Sequence, residues 1–243
     1  MNFDRYPKTR PPLPEELARI YEAHYRENRE GGSLASALSR RVEAWMHRRV
    51  AQDVVGDPTP RSTLEIGAGS LNQLQYEPET GTYDIVEPFV GLLKDSPFLV
   101  RVRHVYKDIR EVPFAQVYDR ISSIATFEHV LGLPEVMARA GLLLKPTGTL
   151  RIAVPSEGTP LWTLSWKLTT GLEFRLRHGL SYGLLMRHEH VNTAREIEDL
   201  LRHFFQRVDH AVLGLSRNWS IYQYFECSGA LTATCSAYLD SLA

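Results

Sequence analysis

The sequence predicts an α/β fold: a doubly wound, mostly parallel seven-stranded sheet with an antiparallel last strand, N-terminal helices and a helical cap inserted after strand five. Two observations predict it. From Ser62 onward, short apolar runs typical of buried strands alternate with helical or loop segments, and such alternation implies crossovers between parallel strands. The segment from Ser156 to Thr193 interrupts this rhythm and is rich in Trp, Tyr, His and Arg, which indicates an inserted cap.

Each element has a local signal. A proline-rich start indicates an extended arm, and Pro14-Glu15-Glu16 predicts a helix start because acids in the first turn suit the helix dipole. This helix should end before Gly31, and a second should run from Ser33 to the break at Asp57-Pro58. The predicted strands are Ser62–Ile66, Thr82–Val86, Val100–Tyr106, Asp119–Ile124, Thr149–Val154, Val208–Leu213 and Tyr222–Glu226. The predicted helices among them are Leu133–Leu144, which ends in the turn Lys145-Pro146-Thr147-Gly148, and Ala194–Phe205.

Composition excludes several classes of protein. The 243 residues include 28 Lys and Arg and 29 Asp and Glu, so the formal charge of −1 argues against a nucleic-acid binder that works by bulk attraction. No apolar run reaches the roughly 18 residues of a membrane span, and no signal peptide is expected at the N-terminus. Two cysteines do not make a disulfide framework, so a reduced, cytoplasmic location is expected.

A glycine loop carries the strongest chemical signal. Thr63-Leu64-Glu65-Ile66-Gly67-Ala68-Gly69 reads as a buried strand followed by a turn on two glycines, which would let the backbone approach a ligand. A following helix would offer free N–H groups. A tight turn between strand and helix explains the same pattern.

Two acids strengthen the case for a ligand. Glu87 ends the second strand and could accept both hydroxyls of a ribose, whereas Asp108 ends the third and could accept an adenine amino group. Ligands of open α/β sheets bind at this rim, although each acid could equally be a solvated loop residue. Asn72 replaces the third glycine of a dinucleotide fingerprint, which disfavours an NAD-dependent oxidoreductase. Glu65 suits a ligand that bears an ammonium group, and S-adenosylmethionine is such a ligand.

These motifs, in this order, resemble a class I, seven-stranded S-adenosylmethionine-dependent methyltransferase of the type 11-like small-molecule group. The resemblance runs from about Ser62 to Gly148 and more loosely to Cys227, and it includes the Glu128-His129 pair after strand four. Leu71 departs from the family, which often has glycine there, and should narrow the space beside the methionine carboxylate. The resemblance implies a cofactor site formed by Glu65, Gly67, Ala68, Gly69, Glu87, Pro88, Asp108, Ile109, Ile124 and Ala125.

Histidines are the candidates for catalysis. His129 should begin the helix after strand four and could act as a general base near neutral pH, or it could hold the cap to the rim as a structural residue. His190 is the second candidate. A metal reading of His188-x-His190 lacks an apparent third ligand, so no metal is expected.

The cap should contact the acceptor. Aromatic residues beside arginines suit a substrate with apolar and anionic parts, although a packed helical hairpin with a solvated basic face is the alternative. The predicted substrate residues are Trp162, Arg175, Tyr182, Arg187 and His188 of the cap and Tyr25 of the first helix, where a tyrosine could cover the cofactor or pack in the core.

We therefore expect one methyltransferase-like domain with four parts. These are an N-terminal helical arm (1–60), a cofactor-binding core (61–155), a substrate cap (156–193) and a C-terminal helix with strands (194–243). The expected reaction is methylation of a small-molecule acceptor, with a hydroxyl of an anionic sugar, glycolipid or natural product favoured over nitrogen. The alternative is a non-catalytic nucleoside-binding or scaffold protein that kept the fold. The chain could act as a monomer or a homodimer.

Overall fold

The structure is a computed structural model that describes residues 3–20, 37–57 and 59–242. Residues 15–20 are helical, in agreement with the predicted start, whereas the rest of that helix and the start of the second lie outside the described residues. The helices are α1 (Ala37–Ala51), α2 (Leu133–Leu143), α3 (Pro160–Leu168), α4 (Thr170–His178), α5 (Tyr182–Glu189), α6 (Ala194–Phe204) and α7 (Thr232–Asp240). The strands are β1 (Ser62–Ile66), β2 (Thr82–Val86), β3 (Val102–Tyr106), β4 (Tyr118–Ile124), β5 (Leu144–Pro155), β6 (Phe205–Gly214) and β7 (Ser220–Ala230).

Seven strands form one sheet in the order β3-β2-β1-β4-β5-β7-β6. The pairs from β3 to β5 are parallel, and β7 runs antiparallel to both β5 and β6. The predicted α/β sheet with an antiparallel last strand is confirmed. The strand order reverses between β1 and β4: β2 and β3 lie on one side of β1, and β4 and β5 lie on the other. The carboxyl ends of β1 and β4 form the crevice where open sheets bind ligands.

The two faces of the sheet differ in chemistry. One face is apolar: Leu64, Ile121 and Ile152 belong to the main core, which also includes residues of α2, α6 and α7. The other face carries the fully buried guanidinium of Arg120, which binds both carboxylate oxygens of Glu77 at 2.9 Å. Arg120 also donates to the Val50 carbonyl at 2.8 Å, so α1 is held on this face by charged hydrogen bonds as well as by apolar contact.

The crossovers correct the expectation of a helix after the glycine loop. Single turns of 3-10 helix follow the first four strands, at Asn72–Gln75, Val90–Leu93, Ile109–Glu111 and Phe127–His129. Only residues 67–81 connect β1 to β2, and Pro78 and Gly81 within that stretch disfavour a regular helix. His129 therefore lies in a 3-10 turn and does not begin a helix, because α2 starts later, at Leu133.

Two further differences concern the middle and the end of the chain. β5 begins at Leu144, so the predicted turn Lys145–Gly148 belongs to the strand. α7 was not predicted, because its small residues give a weak amphipathic pattern. It packs on α2 at Gly141, where an added Cβ would lie 2.8 Å from the Cys235 sulfur. None of the described helices has the length and apolarity needed to cross a membrane.

Candidate active site

The loop after β1 is shaped by left-handed backbone. Gly67, Gly69 and Leu71 have φ of 74°, 53° and 68°, values that L side chains adopt at a cost and glycine adopts freely. A Cβ at Gly67 would lie 2.3 Å from the Thr126 side chain, whereas a Cβ at Gly69 would meet nothing within 4 Å. Gly67 is thus required by close packing on the segment after β4, and Gly69 leaves open space over the loop.

Leu71 does not narrow the ligand site as expected. Its side chain is fully buried in a second core cluster that includes Ala68, Leu74 and Ile85. A positive φ at this position is one that glycine would adopt without strain. In this chain, burial of the leucine offsets the backbone strain.

Glu87 connects the ends of β1 and β2. Its side chain is buried, and its Oε2 accepts a hydrogen bond from the Gly69 amide at 2.8 Å while Oε1 accepts one from the Phe89 amide at 2.8 Å. Each carboxylate oxygen has a second lone pair, so both can still accept ligand hydroxyls. Together with the open space over Gly69, this donor and acceptor set fits a nucleoside cofactor.

The other predicted cofactor residues follow the same rim. Asp108 is half-exposed, and its Oδ1 accepts from the Arg110 amide at 2.8 Å and pairs with the Arg110 guanidinium at 3.2 Å. Ile109 is buried in the main core, so only its backbone is free to serve a ligand. Pro88 and Ala125 are exposed, Ile124 and Ala68 are buried, and Ala125 has a φ of 49°.

Glu65 does not present a charge to a ligand. Its carboxyl is buried on the α1 side of the sheet, and Oε2 accepts a hydrogen bond from the Tyr83 hydroxyl at 3.0 Å. Burial raises the pKa of Glu65 to about 8, so the group is mostly protonated at neutral pH. The expectation that its negative charge attracts an ammonium group is therefore not met in this structure.

His129 and His190 meet beside this rim. Their ring centroids lie 4.9 Å apart, although the residues come from the 3-10 turn after β4 and from the end of the cap. Nδ1 of His129 lies 3.0 Å from the Glu189 carbonyl oxygen, and Nδ1 of His190 lies 2.8 Å from Oε2 of Glu157. Because carbonyl and carboxylate oxygens only accept, both Nδ1 atoms carry a proton, and in the neutral imidazole the free lone pair is then on Nε2.

Glu128 completes this group. Its side chain is 2% exposed, its Oε1 lies 3.7 Å from Nε2 of His129, and its Oε2 has no hydrogen-bond partner in the described part of the chain. Burial raises the pKa of the Glu128 carboxyl, while the neighbouring His129 acts in the opposite direction. A buried, incompletely bonded carboxyl at a strand end is typical of a functional site.

An aromatic wall closes one side. Trp162 lies 6.1 Å from the His190 ring and 5.4 Å from the Tyr222 ring, and its indole nitrogen donates to Glu157 at 2.7 Å. Glu157 and Tyr222 were not predicted as site residues. Glu157 follows β5, so the strand-end rule that found Glu87 could also have found it. Tyr222 has no comparable signal, because only the sheet order brings β7 beside β5.

Asn192 ties the end of the cap to the turn after β4. The amides of Val191 and Asn192 donate to the Glu128 carbonyl at 2.9 and 3.1 Å. The Asn192 side chain is fully buried and donates to the carbonyls of Phe127 and Val130 at 2.8 and 2.7 Å. These four bonds fix His190 relative to His129.

Within the described residues, the remaining substrate candidates make no hydrogen bond or ring contact with either ring of the histidine pair, although Tyr182 is close enough to Tyr222 and Glu189 to interact with them electrostatically. The Arg175 and Arg187 side chains are exposed on α4 and α5. Tyr182 packs against Phe174 and Trp166 inside the cap. His188 directs Nδ1 to the Pro11 carbonyl at 2.8 Å, so it is not a partner of His190. Tyr25 lies outside the described residues.

Comparison with known proteins supports the fold alone. No family model and no curated protein matches the chain. The 1,6-didemethyltoxoflavin-N1-methyltransferase of Burkholderia thailandensis, solved with 1,6-didemethyltoxoflavin and S-adenosylhomocysteine, has 17% identity and a TM-score of 0.55 over 90% of this chain and 92% of that chain. The plantazolicin methyltransferase BpumL, solved with a monoazolic desmethylPZN analogue and S-adenosylhomocysteine, has 14% identity and a TM-score of 0.59 over 87% and 90%.

A third match is to a longer protein. The CurJ carbon methyltransferase has 17% identity and a TM-score of 0.54 over 80% of this chain and 56% of its own, so this chain spans about half its length. All three share the seven-stranded architecture with less than a fifth of their residues identical. The chain therefore has the class I, seven-stranded methyltransferase fold.

Proposed function

We propose that this chain, which has the class I methyltransferase fold, is an S-adenosylmethionine-dependent methyltransferase with a small-molecule acceptor. One observation carries the proposal: the Glu87 carboxylate and the Gly69 amide are already joined at the rim where β1 and β2 end. An acid held against a glycine turn at this edge is the arrangement that reads a ribose in doubly wound folds. The solved neighbours that contain S-adenosylhomocysteine support the choice of cofactor.

Adjacent to that rim, the histidine pair would receive the acceptor. Thr126 links the two regions, because its hydroxyl donates to the Gly67 carbonyl at 3.3 Å and it directly precedes the turn that carries His129. Trp162 and Tyr222 offer an apolar surface against which a ring or hydrocarbon could pack.

The chemistry needs little from the protein beyond position. S-adenosylmethionine supplies a methyl group on a sulfonium, which leaves as a neutral thioether when the methyl is transferred. Nε2 of His129, or of His190, would accept the proton that an acceptor hydroxyl loses as its oxygen takes the methyl. The hydrogen bonds at the two Nδ1 atoms hold the imidazoles in the tautomer that this task requires. The cap excludes water from the transfer. We favour oxygen over nitrogen as the acceptor atom because a hydroxyl must lose a proton when it is methylated, and two imidazoles with centroids 4.9 Å apart lie beside the rim to accept it.

Calorimetric titration with S-adenosylhomocysteine tests the proposal. We expect micromolar binding by the wild type and a loss of about 10- to 100-fold in Glu87→Gln, because the charge-assisted hydrogen bonds to ribose hydroxyls are weakened. Glu79→Gln is the matched control, since Glu79 lies in the connection between β1 and β2 with an exposed side chain, and the affinity of this variant should not change.

Two results would contradict the proposal. Equal affinities for Glu87→Gln and Glu79→Gln would remove Glu87 from the cofactor site. An absence of binding by the wild type at millimolar S-adenosylhomocysteine and S-adenosylmethionine would favour the alternative, a scaffold that kept the fold without the chemistry.

A further inference from the structure

We propose that Glu128, His129 and His190 bind a first-row divalent transition-metal ion such as Zn²⁺ or Fe²⁺. Each residue offers one ligand atom, and the three atoms lie within 4.8 Å of one another. Metal–ligand bonds of about 2.0–2.2 Å place neighbouring ligand atoms about 3 to 3.5 Å apart. The site would therefore close on an ion through side-chain movements on the order of 1 Å.

The hydrogen bonds behind the two histidines are those of metal ligands. A ligating imidazole characteristically donates its second N–H to a carboxylate or a backbone carbonyl, which orients the ring. His190 donates Nδ1–H to Glu157, and His129 donates Nδ1–H to the Glu189 carbonyl. Both rings therefore direct a free Nε2 lone pair away from these partners, and one of these lone pairs lies 3.7 Å from Glu128.

Glu128 supplies a second, independent observation. Its carboxylate is 2% exposed, and Oε2 lacks a hydrogen-bond partner among the residues that the structure describes. Burying a carboxylate oxygen without a hydrogen-bond partner costs folding free energy. A bound cation would offset that cost more than a neutral partner would. A carboxylate oxygen of Glu128 would complete a site of two imidazoles and one carboxylate.

The ligand set selects the class of ion. Imidazole favours Zn²⁺ or Fe²⁺ over Mg²⁺ or Ca²⁺, and two histidines with one carboxylate are typical of sites that keep coordination positions open for another ligand. The fixed backbone around Asn192 holds the ligands from β4 and the cap together.

The role of the ion rests on the proposed function. The open positions would take oxygen atoms of the acceptor, and a bound cation would lower the pKa of an acceptor hydroxyl. In that case the histidines hold the ion and accept no proton, and the acidified hydroxyl would lose its proton to solvent water before its oxygen takes the methyl group. The binding of the ion itself does not depend on methyl transfer.

Equilibrium dialysis of the chelator-treated full chain against micromolar Zn²⁺, followed by elemental analysis, tests the site. We expect one ion per chain in the wild type and affinities weakened about 100-fold or more in Glu128→Gln, His129→Ala and His190→Ala. His188→Ala is the matched control, because His188 is two residues from His190 but faces the Pro11 carbonyl; it should bind Zn²⁺ as the wild type does. Glu157→Gln, which leaves all three ligands in place, should weaken binding about 10- to 100-fold.

Co²⁺ gives a second readout that does not require activity. Bound to this site it should produce a visible absorption spectrum that His190→Ala abolishes and His188→Ala retains. Zn²⁺ should also raise the Tm of the wild type but not of His190→Ala, since an ion that binds the folded chain stabilises it.

The outcomes separate the two proposals. Failure of the wild type to retain Zn²⁺, or equal retention by His188→Ala and His190→Ala, overturns the metal site, whether or not S-adenosylhomocysteine binds. Retention of one ion with loss in the three ligand variants supports the metal site even where calorimetry shows no cofactor binding, in which case the proposed function alone fails. If Glu128→Gln does not fold, Glu157→Gln and the Co²⁺ spectrum decide the question.

Discussion

The protonated carboxyl of Glu65 makes stability depend on pH in a direction that can be calculated. Its pKa is raised from 4.5 to about 8 by burial in the folded chain, whereas the unfolded chain keeps the ordinary value. Between these values the folded state holds a proton that the unfolded state has lost. The folded state is therefore progressively disfavoured as the pH rises from 4.5 to 8, and below 4.5 the group has no effect.

The magnitude follows from the same two values. Each pH unit of separation is worth about 1.36 kcal/mol, so the full penalty is about 5 kcal/mol above pH 8 and about 3 kcal/mol at pH 7. Glu65→Gln removes the titration and retains an acceptor for the Tyr83 hydroxyl. The wild type should lose this stability as the pH rises, and the variant should not. Between pH 5 and pH 8, the difference in the free energy of unfolding should therefore shift in favour of the variant by about 3 to 5 kcal/mol.

Urea unfolding at pH 5, 6, 7 and 8 measures this difference directly. The comparison of wild type with variant at each pH cancels the titration of groups common to both. Glu79→Gln serves as the control, because an exposed glutamate should give a difference that does not vary with pH. A Glu65→Gln difference constant within about 0.5 kcal/mol over this range would refute the argument, since that is the size of an ordinary surface effect.

Two further substitutions test the packing of the site and of the charged face. Gly67→Ala should destabilise the fold by about 2 to 4 kcal/mol, because its Cβ would collide with Thr126 and its backbone is left-handed. Gly69→Ala, whose Cβ meets open space, should cost only about 1 kcal/mol. Equal losses of stability in urea unfolding would contradict this. Arg120→Ala should cost about 3 to 5 kcal/mol of stability, because Glu77 remains buried without the guanidinium. The double variant Arg120→Met with Glu77→Leu should recover most of that loss. An Arg120→Ala variant as stable as the wild type would disprove the role of the ion pair.

The strands were predictable because they are short apolar runs with clear ends. The observed β1 and β2 have the predicted limits, and the other strands contain the predicted ones or differ from them by a few residues. The buried charges within these strands were not predictable. Asp84 is fully buried, and Arg103 and Tyr118, which bind it, come from the neighbouring β3 and from β4. Such partners are brought together only by the register of the sheet.

The crossovers show where local patterns fail. A helix after the glycine loop is the ordinary solution for a parallel crossover, but the connection to β2 is short and ends in Pro78 and Gly81. The sequence did not predict α7, because its residues have little amphipathic pattern. Its contact with α2 at Gly141 is visible only in the structure.

The candidate site was partly predictable. The rule that acids at strand ends face a ligand found Glu87 and Asp108, and histidine chemistry selected His129 and His190. The sequence could not show which of His188 and His190 lies beside His129, because their directions depend on how α5 ends. The unpaired oxygen of Glu128 likewise emerges only from the three-dimensional packing around the turn after β4.

The four hydrogen bonds at the end of the cap have a consequence for motion. Because Val191 and Asn192 tie this end to the turn that carries Glu128 and His129, rotation of the cap helices must pivot there rather than separate the two histidines. Any movement of the cap helices that keeps these four bonds would leave the imidazole pair preassembled. A ligand would then lose conformational entropy only in ordering the groups around a polar half of the site that is already in place.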